Sequence, residues 1–188
     1  MSRFACPPLS RKDIRAFAQS IRKQIHLENV LYFPVEYFLE ILFSLIDDLD
    51  FSFQVVDSAH WLYPLSRHAY FDLKENCIFI LDRVYEGACN GCGRDRMTIV
   101  HECAHVLLFN RFGLSLSRSF AEKTPVFCDP EWQAKCLAGE LMIPYDLVSD
   151  YSATEVSHLC GVSLQAASYQ LQAGCTGKRK NGQTQPRI

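Results

Sequence analysis

The sequence predicts an α+β domain in which a small antiparallel sheet packs on a central helix and further helices lie at both ends. Two runs with apolar residues at helical spacing come first, short segments with strand-like alternation follow, and longer helical runs fill the second half. Strands and helices that are segregated in this way are typical of α+β domains. With 188 residues, of which 48% are hydrophobic, the chain is long enough for one well-packed domain.

The first part of the chain predicts two amphipathic helices. In the first, from about Arg11 to His26, apolar residues recur three or four positions apart. The second runs from about Val35 to Leu49, directly after a proline. Its four acidic residues exclude a membrane span, and residues 1–24 lack the uninterrupted apolar stretch of a secretory signal. We therefore expect a cytoplasmic protein.

Three short segments after the helices predict strands. Residues 51–56 alternate between apolar and polar side chains, as a half-buried strand does. Residues 69–73 and 77–81 flank Lys74-Glu75-Asn76, which is a hairpin signature. A glycine-rich loop is expected between this hairpin and the next helix.

The run His101-Glu102-Cys103-Ala104-His105 predicts a metal-binding helix. Residues four apart share one helix face, so the two imidazoles can bind one ion. Glu102 leaves the helix at another angle and can reach a water at the metal without becoming a ligand. The flanking residues are apolar, which indicates a buried helix. The alternative is a core helix whose histidines bond to backbone carbonyls, and a third ligand decides between the two.

A catalytic zinc ion takes three protein ligands, so a third ligand is expected on a second element. The candidates downstream are Glu122, Asp129, Glu131, Glu140, Asp146 and His158. Asp129-Pro130 resembles a helix start, because Asp is a good N-cap and Pro fits the first helical position. The small residues Ala134 and Ala138 would let this helix lie close to the metal helix, and Glu131 could then face the metal.

The C-terminal part predicts a helical pair and a tail. Residues 153–172 read as helix, Gly-containing turn and helix, an arrangement similar to a helix-turn-helix. The second helix has no charged residue, which disfavours direct nucleic-acid binding and favours packing beside the metal helices. We thus expect one domain over residues 1–172, with N-terminal helices in 11–49 and a core in 50–144. Residues 173–188 carry four basic residues among polar ones and predict a flexible basic tail.

The chain has nine cysteines, and an odd number cannot form a complete intramolecular disulfide framework. Cys103, Cys136 and Cys160 lie in apolar runs and are expected to be core residues. Cys89 and Cys92 form a CxxC in the glycine-rich loop, where two free thiols are the simpler interpretation. A redox switch before the metal helix is the alternative.

The metal helix and the helix after it resemble the ImmA/IrrE metallo-endopeptidases, a zincin-like family of bacteria and their mobile elements. The similarity depends on HExxH followed by E-x-x-A-x-x-x-A-x-E-L-hydrophobic-hydrophobic-P, a pattern matched by Glu131, Ala134, Ala138, Glu140, Leu141 and Pro144. The hairpin and the lead-in Arg94-Asp95-Arg96-Met97-Thr98 extend it over about residues 50–172. The chain differs by Lys135 for the usual Asn, Leu137 for Phe, and Leu-Met-Ile-Pro for Leu-Leu-Met-Pro.

The resemblance implies a zincin-like fold and a zinc-dependent endopeptidase. It makes His101, His105 and Glu131 the zinc ligands and Glu102 the catalytic base. Relatives often cut a helix-turn-helix repressor encoded nearby, so the implied protein substrate is a transcriptional regulator. His68, Tyr70 and Tyr145 are candidates for a second electrophile, and the sequence does not choose between them.

Two other functions are compatible with the same residues. The chain could be a non-catalytic module that binds and sequesters a regulator, as antitoxin-like or immunity proteins do. It could also be a sensor in which the metal or the CxxC thiols report redox state. The sequence leaves the scissile bond and the oligomeric state open.

Overall fold

The computed structural model describes residues 6–46, 51–57, 68–113 and 125–175. Within these ranges the chain forms eight α-helices, one short 3-10 helix and one three-stranded sheet, which confirms the α+β class. The elements in chain order are α1 (Arg11–Gln24), α2 (Val35–Leu45), β1 (Ser52–Val56), β2 (Ala69–Asp72), β3 (Cys77–Leu81), α3 (Asp82–Cys89), α4 (Gly93–Phe112), the 3-10 helix (Val126–Cys128), α5 (Pro130–Met142), α6 (Tyr145–Val148), α7 (Ala153–Cys160) and α8 (Leu164–Cys175).

The sheet is mixed, so the prediction of an antiparallel sheet was wrong in part. Strands β2 and β3 form the expected antiparallel hairpin, with Tyr70 opposite Phe79. Strand β1 pairs with the other side of β3 in parallel, with Gln54 opposite Phe79. The order β1-β3-β2 places β3 in the centre and leaves β2 at an edge. The alternation of side chains marks a strand but does not encode its direction, because both pairings share the same period of two.

Helix α3 occupies residues to which the sequence analysis assigned no element, and the glycine-rich loop is the short turn between α3 and α4. Its buried residues Val84 and Ala88 are four positions apart and share one face. Gly87 lies against α4, where a Cβ atom would overlap the carboxylate of Asp95. The glycine therefore permits close packing of two helices rather than a loop. Helix α3 is only eight residues long, which leaves little periodic pattern to detect.

The core is built around α4, which packs against α2, α3, α5 and the sheet. Its buried side chains include Ile99, Val100, Cys103 and Leu107. The three cysteines predicted to be core residues are buried: Cys103 and Cys160 are fully covered, and Cys136 is 2% exposed. These thiols act as small apolar side chains.

The predicted helical pair at the C-terminus is present as α7 and α8. Gly161 ends α7 in the left-handed conformation, with φ of 61°, which a residue without Cβ adopts at low cost. Helix α8 packs on α5, and the Gln170 side chain donates to the Ile143 carbonyl at 3.3 Å. The helix extends to Cys175, so the boundary predicted at residue 172 was too early. Residues 176–188 of the predicted tail lie outside the described residues.

The N-terminal helices agree with their predictions over the described residues. Helix α1 begins with a capping box between Ser10 and Asp13 and ends two residues before the predicted end. Helix α2 ends at Leu45, and residues 47–49 of its predicted span lie outside the described residues. In the part of the chain that the structure describes, none of the helices combines the length and the apolar character that crossing a membrane requires.

Candidate metal centre

The two histidines of the HExxH motif project from one face of α4. Their imidazole rings are 4.7 Å apart between centroids, and their Nε2 atoms are 3.2 Å apart. Each side chain is 20% exposed, whereas the neighbouring Cys103 and Ala104 are fully buried. The helix thus buries its apolar face in the core and presents His101 and His105 at the wall of a cleft.

Helix α5 brings the third ligand candidate, Glu131, to these histidines. Asp129 caps the helix and its side chain accepts from the Glu131 amide at 3.0 Å, with Pro130 in the first position. Ala134 and Ala138 are buried where α5 packs on α4. Glu131 Oε2 lies 3.3 Å from His101 Nε2, and Oε1 lies 3.4 Å from His105 Nε2.

These three side chains form a group that could hold a metal ion. Their donor atoms all lie within 4.8 Å of one another, and no other such group of three or more occurs among the described residues. The ligand set predicted from the sequence is therefore brought together by two different helices. The protonation states suit a metal site, because a ligand needs a free lone pair.

Electrostatics favour the metal-binding form of both residue types. Burial, and after it the nearby His105, lower the pKa of His101 to about 4, so this imidazole is neutral at pH 7. A hydrogen bond with His105, aided by the charges of both imidazoles, lowers the pKa of Glu131 to about 2 despite its partial burial. Glu131 is therefore an ionised carboxylate.

The other ligand candidates have different surroundings. Asp129 caps α5, and Asp146 accepts from Gln19 at 2.5 Å. Glu140 is 2% exposed and accepts from Arg15 at 3.0 and 3.1 Å, which makes it a structural ion pair between α1 and α5. His158 is exposed near the end of α7. Glu122 lies outside the described residues.

Glu102 contacts the sheet. Its Oε2 atom accepts from the backbone amide of Phe71 on β2 at 3.0 Å. The Leu81 amide donates to the His68 carbonyl at 3.1 Å, and hydrogen-bonded pairs alternate along an antiparallel ladder, so residues 70 and 72 face β3 with their backbone groups. The backbone groups of Phe71 therefore point to the other edge of β2. This contact between the motif and an edge strand was not predicted, because it joins a side chain to a backbone group 31 residues away.

The site opens into a cleft of about 480 Å³ between α4, β2 and the start of α5. Of the three electrophile candidates, only Tyr70 lines this cleft, and its ring stacks on Phe79 with centroids 5.2 Å apart. His68 lies between Arg83 and Arg94, with 3.1 Å to each. Tyr145 is buried elsewhere, beneath the guanidinium of Arg15.

The CxxC thiols lie away from this centre. Cys89 is the last residue of α3, Cys92 is the N-cap of α4, and both are exposed. Partial desolvation, and after it the charge of Glu36, raise the pKa of Cys89. A thiol with a raised pKa is a poor nucleophile near neutral pH, which disfavours a reactive redox pair.

Comparison of this chain with protein families, with curated proteins and with solved structures finds no match. The interpretation of the site therefore depends on its own geometry. That geometry consists of three converging donor atoms, a carboxylate one residue from the first ligand, and a cleft bordered by an open strand edge.

Proposed function

We propose that this chain is a zinc-dependent endopeptidase of the ImmA/IrrE kind. His101, His105 and Glu131 would hold the zinc ion, and Glu102 would act as general base. The observation that carries the proposal is the convergence of these three side chains: His101 Nε2 lies 3.2 Å from His105 Nε2 and 3.3 Å from Glu131 Oε2, and His105 Nε2 lies 3.4 Å from Glu131 Oε1. It supports both the metal and the identity of the three ligands.

The spacing of these donors is compatible with zinc. Ligands about 2.0–2.1 Å from a tetrahedral ion lie about 3.3 Å from one another, and the two imidazole nitrogens lie 3.2 Å apart. Each carboxylate oxygen of Glu131 lies about as far from one of these nitrogens. Two imidazoles and one carboxylate are also a common ligand set of catalytic zinc sites.

Glu102 would move a proton rather than bind the metal. When bound, zinc supplies Lewis acidity that acidifies water and polarises a peptide carbonyl. Glu102 would accept the proton of the attacking water and return it to the leaving amine. The Phe71 amide donates to its carboxylate, and Glu102 lines the same cleft as the three proposed ligands.

The open edge of β2 supports a peptide as the substrate. An extended peptide can add to an exposed strand edge through backbone hydrogen bonds. Phe71 has its backbone directed to that edge, and the same residue contacts Glu102, so the edge and the base share one cleft. A peptide paired there would bring a backbone carbonyl past the metal ligands.

Within this proposal the substrate is a helix-turn-helix repressor in the cytoplasm, as in the family that the sequence resembles. The absence of charge on α8 supports protein cleavage rather than DNA binding by this chain. Cleavage of a cognate repressor would identify the substrate sequence at the cut.

The first test is the zinc content of the purified chain by plasma emission spectroscopy. We expect one zinc per chain in the parent and sharply less in Glu131→Ala. The matched control is Glu86→Ala, which removes an exposed glutamate from α3 and should keep the zinc. A parent that stays free of zinc after reconstitution would overturn the proposed metal.

The second test separates a peptidase from a module that only binds a regulator. Glu102→Gln should retain zinc and lose cleavage of a cognate repressor, because the amide cannot accept the proton. Equal cleavage by Glu102→Gln and the parent would refute the role of Glu102. A stable one-to-one complex of the zinc-loaded parent with an uncut repressor would favour the sequestering module.

A further inference from the structure

The cleft has an apolar wall on one side of the metal ligands. Phe71 and Leu73 line it from the side of β2, and Leu108 and Phe109 line it from α4. Phe71 lies on the same face of β2 as the buried Ala69, and Leu73 is the first residue of the turn after the strand. The Phe71 and Phe109 rings are 6.4 Å apart between centroids.

Two of these side chains are exposed inside a concave surface. Leu73 is 45% exposed and Phe109 is 39% exposed, although both lie beside buried apolar residues. Large apolar side chains that remain open to water in a cleft are typical of ligand-binding sites. We define the apolar wall as Phe71, Leu73, Leu108 and Phe109.

The apolar wall lies within one peptide residue of the reaction centre. The Phe71 amide contacts Glu102, so the wall begins at the residue that holds the general base. Phe109 follows His105 by one helical turn, about 6 Å along α4. Neighbouring residues of an extended peptide are about 3.3 Å apart, so the residue next to the scissile bond covers about half of this distance and a large side chain covers the rest.

Charge in the cleft selects against acidic side chains. The charged residues that line it, within the described part of the chain, are the carboxylates Glu102 and Glu131, and neither Lys nor Arg is among the lining residues. An acidic side chain there would lose water without gaining a cationic partner. Aliphatic and aromatic side chains carry no charge that would lose its hydration, and they bury apolar surface.

We propose that the apolar wall is the specificity pocket, and that it selects substrates with an aliphatic or aromatic residue at one position adjacent to the scissile bond. Leu73 and Phe109 are the specificity-determining residues. The proposal rests on the peptidase function proposed above and names the substrate class of that site. Apolar side chains at this position should be preferred over acidic ones by about 10- to 100-fold in kcat/KM.

The test is cleavage of a degenerate peptide library by the zinc-loaded parent, with sequencing of the new termini. We expect enrichment of Leu, Ile, Met and Phe, and depletion of Asp and Glu, at a single flanking position. Leu73→Lys places a cation at the wall and should shift this position toward acidic residues. Val55→Lys changes an exposed apolar residue of β1 outside the cleft and should leave the profile unchanged.

Cleavage with no preference at the flanking positions would overturn the pocket and uphold the peptidase. The same conclusion would follow if Leu73→Lys cut with the parent's profile. A second readout uses zinc-loaded Glu102→Gln, titrated with N-acetyl-leucinamide and N-acetyl-aspartamide and followed by NMR. The leucine probe should shift the signals of Leu73 and Phe109 while the aspartate probe does not.

The two readouts together distinguish the two proposals. An uncut library with a selective response to the leucine probe would refute the peptidase function and uphold an apolar binding pocket. An uncut library with no response to either probe would refute both the peptidase function and the pocket.

Discussion

At the scale of single residues, the backbone amide of Phe71 has a role that the pattern of side chains in the sequence does not predict. The Phe71 amide donates to Glu102 at 3.0 Å from an edge strand, where it is not needed for the ladder with β3. The carboxylate of the proposed general base therefore has a defined position before any substrate binds. Such positioning of a catalytic group is sensitive to shifts of about 1 Å.

Phe71→Pro removes this donor without removing a ladder hydrogen bond. Proline is tolerated at edge positions whose amide points away from the sheet, so the fold and the zinc content should persist. We expect the peptidase activity to fall about 10- to 100-fold, because Glu102 loses its anchor. Phe71→Leu keeps the amide and an apolar side chain and serves as the control. Equal activity of the two variants, measured with equal zinc content, would contradict a positioning role.

Buried thiols make stability depend on pH in the alkaline range. Burial raises the pKa of Cys136 and of Cys160 to about 11. In the unfolded chain these thiols ionise near pH 8.5–9, so between about pH 9 and 11 the unfolded state holds fewer protons than the folded state. The free energy of unfolding should then fall with pH, by about 2 kcal/mol per thiol.

Urea unfolding at pH 7.5 and pH 10.5 under reducing conditions measures this loss. The double variant Cys136→Ala, Cys160→Ala should lose markedly less stability between the two pH values than the parent. The same pH dependence in both proteins would show that other groups cause it.

At the scale of elements, the start of α5 decides where the proposed third ligand lies. Asp129 and Pro130 set the first turn, and Glu131 comes directly after them. A glutamate in the first turn of a helix also interacts favourably with the helix dipole, and this interaction favours the ionised carboxylate. The cap therefore serves the helix and the site together.

Asp129→Ala should weaken both the helix and the metal site. Loss of an N-cap costs about 1 kcal/mol of stability, and a frayed first turn lets Glu131 move away from the histidines. Ser10→Ala removes the N-cap of α1 at a similar cost in stability but far from the ligands. Competition with a zinc chelator should show weaker zinc binding in Asp129→Ala alone. Equal zinc affinity in the two variants would contradict the link.

At the scale of the whole molecule, two buried arginines join distant segments. Arg96 is fully buried on α4 and donates to the carbonyls of Phe33, Cys160 and Gly161. Arg22, on α1, donates to the carbonyls of Val30 and Leu141. Burial lowers the pKa of both guanidinium groups, yet they stay charged because their hydrogen bonds are to carbonyl oxygens.

Arg96→Met should destabilise the domain by about 3 kcal/mol or more, because it leaves three carbonyls on two distant segments without this donor. Arg94→Met changes an exposed arginine two residues earlier on α4 and should cost less than about 0.5 kcal/mol. Denaturant unfolding of both variants against the parent measures the difference. Similar stabilities would show that water or rearranged groups satisfy the carbonyls.

The sequence alone determined the elements that have strong local signals. The periodicity of α1 and α4, the hairpin around Lys74–Asn76 and the Asp129-Pro130 helix start are properties of neighbouring residues, so they can be read along the chain. The ligand set His101, His105 and Glu131 was predicted for the same reason: two ligands share one helix, and a capped helix start presents the third.

Only the tertiary structure decided the features that join distant residues. The direction of β1, the amide that holds Glu102, the apolar wall and the carbonyl partners of Arg96 each depend on segments tens of residues apart. Helix α3 was not predicted. Its Gly87 permits the close approach of α4, and no local sequence pattern encodes that approach. Local preferences select helices and strands, whereas direction, approach and pairing are set by which surfaces become buried together.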